Sequence, residues 1–215
     1  MSNFITSNSG SLKGSIKVPG DKSISHRSIM LGSIADGITR VSGFLEGDDS
    51  LATLNAFKDM GVQIERDGSH VIIHGVGMKG LEEPKNPLYL GNSGTSIRLM
   101  SGLLSAQKFN SKLCGDESLS IRPMGRVIKP LQEMGADISG DNSKPPLLIK
   151  GGKQLSGIEY TLPVASAQIK SCLLLAGLYS EGKTTVIENG ISRDHTERML
   201  KGFGYDVISS NNRIS

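Results

Sequence analysis

The sequence predicts an α/β (α+β) fold in which three copies of one helix–strand–helix–hairpin unit assemble, with the first helices buried and the sheets outside. The main observation is a repeat of similar blocks. Each begins with a small, hydroxyl-rich stretch that enters an apolar helix: DKSISHRSIMLGSIADG, GNSGTSIRLMSGLLSAQ and ASAQIKSCLLLAGLYSEG. A basic residue recurs near each helix start, at Arg27, Arg98 and Lys170, which lie 71 and 72 residues apart. A period of this size indicates a supersecondary module.

The composition of the first helices supports this arrangement. The run CLLLAGLY has no polar face, so the helix that contains it is expected to be buried on every side, with small residues allowing close approach. The chain has 27 glycines in 215 residues, well above the usual share of roughly 7%. Tight turns and close backbone contacts are therefore expected.

The remaining elements follow in the same order in each copy. A β-rich stretch comes after each first helix: ITRVSGF, FNSKLCGD and TTVIENG. A second, amphipathic helix follows: SLATLNAFKDMG, RVIKPLQEMG and RMLKGFG. Pro130 is expected to kink or restart the middle one. Gly61, Gly135 and Gly204 suit left-handed helix ends before the hairpins VQIERDGSHVIIHG, ADISGDNSKPPLLIKGG and YDVISSNNRIS. The third hairpin is short, which predicts an incomplete third copy and a fragment of a longer protein.

Charge and composition exclude several classes of protein. The net charge of +3 is too small for a general nucleic-acid binder. The N-terminus lacks an apolar signal region, and no apolar run approaches the roughly 18 residues of a membrane span. Cys114 and Cys172 fit neither a disulfide framework nor a metal cluster, and Cys172 is expected to be a reduced core residue. We expect a cytoplasmic protein that binds neither nucleic acid nor membranes and carries no metal.

Two glycine motifs are expected to be coincidental. GLYSEGKT, residues 177–184, matches the phosphate-binding P-loop pattern, but it follows a helix and precedes a β-branched stretch, which is the reverse of the order a P-loop needs. GVGMKG, residues 75–80, matches a dinucleotide-binding pattern, but the two prolines that follow forbid the required helix.

The repeat predicts an anion site. Gathering three helix starts would place free N–H groups and positive dipole ends together, which favours phosphate or carboxylate ligands. Cations accompany them in the sequence: Lys22, Arg27, Arg98, Arg122, Lys170 and Arg193. The alternative is that the serines cap helices and the cations are solvated surface residues. Three aligned copies favour the anion site.

Five motifs of the chain, taken together, resemble a known family. KVPGDKSISHRS, LGNSGTSIRL, SIRPMGR, PVASAQIKS and SRDHTE, in this order, are similar to the 5-enolpyruvylshikimate-3-phosphate synthases, or 3-phosphoshikimate 1-carboxyvinyltransferases, from about residue 10 to the end. The related UDP-N-acetylglucosamine enolpyruvyl transferases have a reactive loop cysteine, which neither cysteine here resembles.

The resemblance implies a fold and a domain organisation. Family members have two lobes of three βαβαββ units, with buried parallel helices and outward sheets, an inside-out α/β barrel. This chain would be the N-terminal half. Residues 1–15 would belong to the absent C-terminal lobe, and residues 16–215 would form the substrate-binding lobe with an incomplete third repeat.

The resemblance also implies a reaction. The enolpyruvyl group of phosphoenolpyruvate passes to the 5-hydroxyl of shikimate 3-phosphate, and phosphate is released without a cofactor. Glyphosate occupies the phosphoenolpyruvate site in sensitive members. The expected partners are these two substrates and the missing C-terminal lobe, in a protein that is monomeric when complete. The acidic general base would lie in the missing lobe, so we expect this chain to be inactive alone.

Motif matches assign roles to individual residues. Lys22 would be catalytic and contact both substrates, while Gly94 and Arg122 would bind phosphoenolpyruvate. The residues matched to shikimate 3-phosphate are Ser23, Arg27, Ser166, Gln168, Ser192 and Arg193. Ala167 stands where other branches have a second serine, which weakens the match there. His26 and His195 are expected to be structural.

Two other readings stay open on the sequence. The chain could be a stand-alone anion-binding module or one half of a split enzyme, and mixing with a separate C-terminal half would distinguish them. A nucleotide hydrolase acting through GLYSEGKT would need Lys183 for nucleotide binding.

Overall fold

The computed structural model of the chain describes residues 4–7, 10–11 and 13–215. Before Lys22, the described residues form neither helices nor strands and are largely exposed. The predicted assignment of residues 1–15 to another lobe falls partly outside the described residues and stays a prediction. None of the helices in the described part of the chain has the length and apolar character that crossing a membrane requires.

The first unit contains two helices and a three-stranded antiparallel sheet. Its elements are α1 (Lys22–Ile34), β1 (Asp36–Val41), α2 (Asp48–Asp59), β2 (Gln63–Asp67) and β3 (His70–Val76). The strands pair in the order β1-β3-β2. Both helices and the hairpin lie where the sequence predicts them.

The second unit has one strand (β4) and one short α-helix (α4) more than the sequence pattern predicts, and a 3₁₀ turn at Asp141–Ser143. Its elements are β4 (Leu88–Tyr89), α3 (Gly94–Leu104), β5 (Ser111–Cys114), α4 (Glu117–Ser120), α5 (Gly125–Glu133), β6 (Asp137–Ser139) and β7 (Leu147–Lys150). Pro130 lies inside α5, which continues past it, so the helix does not restart there, while the alternative expectation of a kink stays a prediction. The helix buries Val127 and Leu131 completely. This packing outweighs the backbone hydrogen bond that proline removes.

The third unit repeats the order of the second without the short helix α4. Its elements are β8 (Glu159–Thr161), α6 (Ala167–Gly177), β9 (Thr185–Ile187), α7 (His195–Gly202), β10 (Ser209–Ser210) and β11 (Arg213–Ile214). The P-loop look-alike spans the end of α6 and the turn at Gly182, whose φ is +79°. A strand and not a helix follows it, as predicted.

The three sheets share one strand order. In the second and third sheets the orders are β4-β5-β7-β6 and β8-β9-β11-β10, with a parallel first pair and antiparallel pairs after it. The first sheet has the same order, but no leading strand pairs with β1 among the described residues. The leading strands β4 and β8 are too short to appear in a periodicity pattern. The mixed helix and sheet content confirms the predicted α/β class.

The first helices of the three units form the core, as predicted. α3 and α6 run in the same direction, because Arg98 contacts Gln168 near both starts while Gly102 meets Cys172 farther along. A Cβ atom on Gly102 would lie 2.0 Å from the carbonyl oxygen of Cys172. Only glycine permits this approach. Burial of Cys172 raises the pKa of its thiol and agrees with a reduced core residue.

The glycines that end the second helices adopt the predicted left-handed conformation. Gly61, Gly135 and Gly204 have φ angles of +87°, +99° and +85°. Each reverses the chain from a helix towards a strand, which is the role of glycine one position past a helix end. The connection after β3, which contains the dinucleotide look-alike, holds no helix, as predicted.

Candidate functional site

The starts of α1, α3 and α6 meet at one end of the molecule, here called the helix-start end. Arg27 Nη2 donates to Ser171 Oγ (2.7 Å), which joins α1 to α6. Arg98 Nη1 donates to Gln168 Oε1 (3.0 Å), which joins α3 to α6. Each of these residues belongs to the first two turns of its helix. The positive ends of three helix dipoles therefore point to the same side of the protein.

Side-chain caps stabilise all three starts. Asp21 Oδ1 accepts the backbone N–H of Ile24 (2.8 Å), and Ser93 Oγ accepts that of Ser96 (3.1 Å). Ser166 Oγ accepts the backbone N–H of Ile169 at 3.4 Å. Ser166, predicted to bind substrate, is thus also a helix cap.

Two guanidinium groups converge on the start of α3. A Cβ atom on Gly94 would lie 2.7 Å from Arg98 Nη1 and 3.0 Å from Arg122 Nη1. Arg98 Nη1 also donates to the Gly94 carbonyl oxygen (3.0 Å). Arg122 Nη2 donates to Asn92 Oδ1, which fixes its direction. Gly94 and Arg122, which the resemblance matches to one ligand, lie together, and Arg98 joins them.

The charge at this point is strongly positive. Burial lowers the pKa of Arg98, and the nearby cations Arg122 and Arg126 lower it further. Gln168, predicted for the substrate site, bridges to the same cluster, because its Nε2 donates to Thr95 Oγ1 (3.0 Å). Guanidinium groups facing one another in a half-buried place favour a bound anion, since an anion offsets their repulsion.

Lys22 lies at the first turn of α1 and pairs with a carboxylate. Its ammonium group contacts Asp49 Oδ2, and the Lys22 side chain is 51% exposed. Asp49 belongs to the first turn of α2 and was not predicted as a site residue. The available signal is the pair Asp48–Asp49 at a helix start, a pattern that many helices show without function.

Arg27 lies beneath the helix-start end. Its exposed fraction is 4%, and its remaining donors reach Thr196 Oγ1 (2.6 Å) and the Ser23 carbonyl oxygen (3.0 Å). Burial lowers its pKa to about 10, with a further contribution from Arg193. The sequence gives Arg27 as a cation at the site, whereas the structure uses all three nitrogens of its guanidinium to join α1, α6 and α7.

Ser192 and Arg193 approach α1 from the loop between β9 and α7. Arg193 Nη1 donates to Ser23 Oγ (3.0 Å), which brings together two residues that are 170 positions apart. Ser192 Oγ donates to Glu188 Oε1. Ser23, Ser192 and Arg193 therefore form a second part of the helix-start end, next to α1 and α6.

Lys170 does not belong to the exposed site, contrary to the expectation from its position in the repeat. Its side chain is 1% exposed, and its Nζ contacts Glu188 Oε2 (2.7 Å) and Glu197 Oε1 (2.6 Å). The two glutamates lie in the third unit, and the sequence pattern gave no signal for either. The pairing neutralises Lys170 in the interior.

The two histidines occupy different environments. His26 is fully buried, with its Nδ1 2.8 Å from Thr53 Oγ1 and its Nε2 3.4 Å from Ser93 Oγ. Burial lowers its pKa to about 4, and the positive charge of Lys22 adds to the effect. His195 begins α7, and its Nδ1 lies 3.9 Å from Asp21 Oδ1. Neither ring lies in the cluster formed by Gly94, Arg98 and Arg122.

Comparison with known proteins gives consistent results. A family model described as EPSP synthase (3-phosphoshikimate 1-carboxyvinyltransferase) matches residues 6–215. The 3-phosphoshikimate 1-carboxyvinyltransferase of Ruthia magnifica subsp. Calyptogena magnifica is 65% identical over 214 residues, which are 100% of this chain and 49% of that protein. That of Legionella pneumophila strain Philadelphia 1 is 61% identical over 208 residues, 96% of this chain and 48% of the relative.

Solved structures agree with the sequence relatives. EPSP synthase from Acinetobacter baumannii superposes with a TM-score of 0.91 at 62% identity, over 94% of this chain and 46% of that one. The chain thus spans about half the length of the curated relatives and structures it matches.

Proposed function

Because the chain belongs to the EPSP synthase family, we propose that it is the substrate-binding lobe of an enolpyruvyl transferase. The complete enzyme would move the enolpyruvyl group of phosphoenolpyruvate to the 5-hydroxyl of shikimate 3-phosphate and release phosphate. The names of its relatives describe the transfer of a carboxyvinyl group to 3-phosphoshikimate. The present chain would supply one wall of the site, and the half that it does not span would supply the other.

The convergence of Arg98 and Arg122 over Gly94 carries the proposal. Phosphoenolpyruvate presents a carboxylate and a phosphate, and planar guanidinium groups suit both. The absence of a side chain at Gly94 leaves the helix start open, so a ligand could reach the backbone N–H groups of α3. The phosphoenolpyruvate site is therefore assigned to this cluster.

Shikimate 3-phosphate is assigned to the neighbouring part of the helix-start end. Ser23, Ser192 and Arg193 would hold its phosphate, and Ser166 and Gln168 would contact the ring hydroxyls. Arg27 would act from beneath by holding the Ser23 carbonyl and Ser171. Gln168 joins the two parts, since its amide contacts both Arg98 and Thr95.

The proposed reaction needs proton transfers that this lobe supplies only in part. In the addition, the 5-hydroxyl oxygen bonds to C2 of phosphoenolpyruvate, loses its proton, and C3 gains one. In the elimination, C3 loses a proton as the bond from C2 to the phosphate oxygen breaks. Lys22 is the proposed participant here, since it is half exposed and aligned by Asp49. Further acid or base groups would come from the half that the chain does not span.

Titration of the isotopically labelled chain with each substrate tests the proposal. We expect phosphoenolpyruvate to shift the amide resonances of Gly94 and Arg122, and shikimate 3-phosphate to shift those of Ser23 and Ser192. Both affinities should be weak, because one wall of the site cannot exclude water. Shifts confined to other surfaces, or none at all, would refute the assignment.

The variant Gly94→Ala tests the assignment of the phosphoenolpyruvate site specifically. The added methyl group would displace the ends of two flexible arginine side chains, so the fold should survive while phosphoenolpyruvate binding weakens about tenfold, the loss of a charge-assisted contact. Shikimate 3-phosphate binding should persist. Gly125→Ala is the matched control at the start of the neighbouring helix α5, because its Cβ would meet only Ser143, at an ordinary 3.7 Å. Equal effects of the two variants would contradict the proposal.

A further inference from the structure

A buried cluster of charged residues lies behind the Ser192–Arg193 loop. The proposed substrate site does not include it. Lys170, Glu188 and Glu197 are each less than 8% exposed, although ionised side chains are rarely buried to this degree. The Lys170 ammonium group lies within 2.7 Å of one oxygen of each glutamate. Removing three charges from water is costly, so the arrangement persists only because they pair with one another.

Glu188 uses both of its carboxylate oxygens. Oε2 accepts from Lys170, and Oε1 accepts from the hydroxyl of Ser192. The backbone N–H of Glu188 donates to the Asn212 carbonyl oxygen (2.9 Å), which ties the residue to the last hairpin. Glu188 therefore connects the rigid interior to the loop that carries Ser192.

Few other contacts hold this loop. Asn189 Nδ2 donates to the Leu162 carbonyl oxygen (2.9 Å), and Arg193 Nη1 donates to Ser23 Oγ. Ile191 is 98% exposed and contributes no packing. Without the bond from Ser192 to Glu188, the stretch between Asn189 and Arg193 would lose its inward anchor.

Glu197 completes the cluster from the first turn of α7. Its neighbour Thr196 accepts from Arg27 Nε (2.6 Å) and lies 2.6 Å from Ser171 Oγ. Lys170 thus contacts both ends of the connection between β9 and α7. Glu188 lies at the beginning of this connection, and Glu197 lies just after it. This geometry fixes the separation between β9 and α7.

We propose that Glu188, held in place by Lys170, is a positioning residue that fixes Ser192 and Arg193 opposite Ser23. For its consequence on ligand binding, this inference rests on the proposed function. The Ser192 hydroxyl has one proton, which it uses in the hydrogen bond to Glu188. The lone pairs of the Ser192 oxygen therefore face outward. Glu188 thereby sets both the place of the loop and the hydrogen-bonding character that Ser192 offers to a ligand.

Three variants test this role. Glu188→Gln removes the charge that Lys170 holds but keeps the shape of the side chain. Ser192→Ala removes the outer end of the contact together with a hydroxyl proposed to bind the ligand, and it leaves the buried cluster intact. For this variant the mobility of the loop without ligand is the decisive readout, and it provides a test if Glu188→Gln fails to fold. Glu159→Gln is the matched control, because Glu159 forms an exposed ion pair with Arg213 in the same unit.

The first measurement uses the chain without ligand. Backbone ¹⁵N order parameters of residues 189–193 should fall from about 0.85 to below about 0.6 in both Glu188→Gln and Ser192→Ala. The double variant should be no more mobile than the worse single variant, since both changes act on the same contact between residues 188 and 192. Glu159→Gln should keep the wild-type values.

The second measurement is the affinity for shikimate 3-phosphate, followed by chemical shifts. Both variants should weaken it about tenfold, as for a lost hydrogen bond to a charged group. The affinity for phosphoenolpyruvate should stay unchanged, because its proposed site at Gly94 does not contact this loop. A general loss of stability would instead weaken both ligands.

Distinct results would overturn the two proposals. If residues 189–193 stay rigid in both variants, or if the loop loosens while shikimate 3-phosphate binds as before, Glu188 is not a positioning residue. If the wild-type chain does not bind shikimate 3-phosphate, the proposed function is wrong, and the order parameters alone decide whether Glu188 fixes the loop.

Discussion

Arg27, Arg98 and Lys170 occupy corresponding places in the repeat and end in three different environments. Arg27 is a buried cross-link between helices, Arg98 borders the candidate anion site, and Lys170 is enclosed by two glutamates. The helix position is shared, but the neighbours differ because each unit packs against a different partner. The chemistry of a repeated residue is thus decided by its contacts.

His26 makes stability depend on pH. The unfolded chain binds a proton at about pH 6.5, whereas the folded chain resists protonation until about pH 4. The stability that the neutral ring provides is therefore complete above pH 6.5 and is lost as the pH falls from 6.5 to 4. We expect the loss to be roughly 3 kcal/mol.

Urea unfolding at several pH values measures this effect. The wild-type chain should lose more free energy of unfolding between pH 6.5 and 4 than His26→Asn, whose side chain does not titrate. Because carboxylates titrate in the same range in both proteins, the difference between the two curves is the quantity that matters. Parallel curves would show that His26 is protonated in the fold without a penalty.

At the scale of the elements, the close contact between α3 and α6 determines the core. Gly102→Ala would place a methyl group against the backbone of Cys172, and backbone cannot move aside as a side chain can. We expect a loss of about 1–3 kcal/mol in the free energy of unfolding, as for other overpacked interiors. Denaturant titration checks this value.

Gly202→Ala is the corresponding control in α7. A Cβ there meets nothing within 4 Å. Alanine should therefore stabilise the chain by about 0.4–1 kcal/mol, because it restricts the unfolded state. If Gly102→Ala were as stable as Gly202→Ala, the two helices would be able to separate freely, and the close contact would not be a constraint.

At the scale of the whole molecule, we propose that the helix-start end is one wall of a site. The chain spans about half the length of its relatives, and among the residues that the structure describes β1 has no parallel neighbour of the kind that β5 and β9 have. Lys22 and Arg193 are exposed at this end, and Arg122 is partly exposed. An opposing surface is needed to exclude water from the reacting groups.

We predict that the 215-residue chain alone forms no product from phosphoenolpyruvate and shikimate 3-phosphate. Activity should appear when it is mixed with a separately produced polypeptide that corresponds to the remaining half of a relative such as the Ruthia magnifica protein. Phosphate release and product formation are measured together. Turnover by the purified chain alone would contradict the prediction, and ligand binding without recovered activity would favour a separate binding module.

The sequence by itself determined the order of the elements, because that order depends on local properties. Apolar helices without a polar face, the glycines at 61, 135 and 204, and the β-branched stretches each act within a few residues. The repeat interval then indicated that the helix starts would share one end. The P-loop pattern was rejected on the same local grounds.

Only the tertiary structure decided which charged side chains remain available to a ligand. The sequence predicted Lys170 and Arg27 as cations of the site, yet both are paired in the interior. Their partners Glu188, Glu197 and Thr196 lie at least 18 positions away along the chain. The leading strands β4 and β8 are defined by pairing rather than by composition. Ion pairing and strand pairing depend on which residues lie close together in space. A single sequence does not specify the distances between residues that are far apart along the chain.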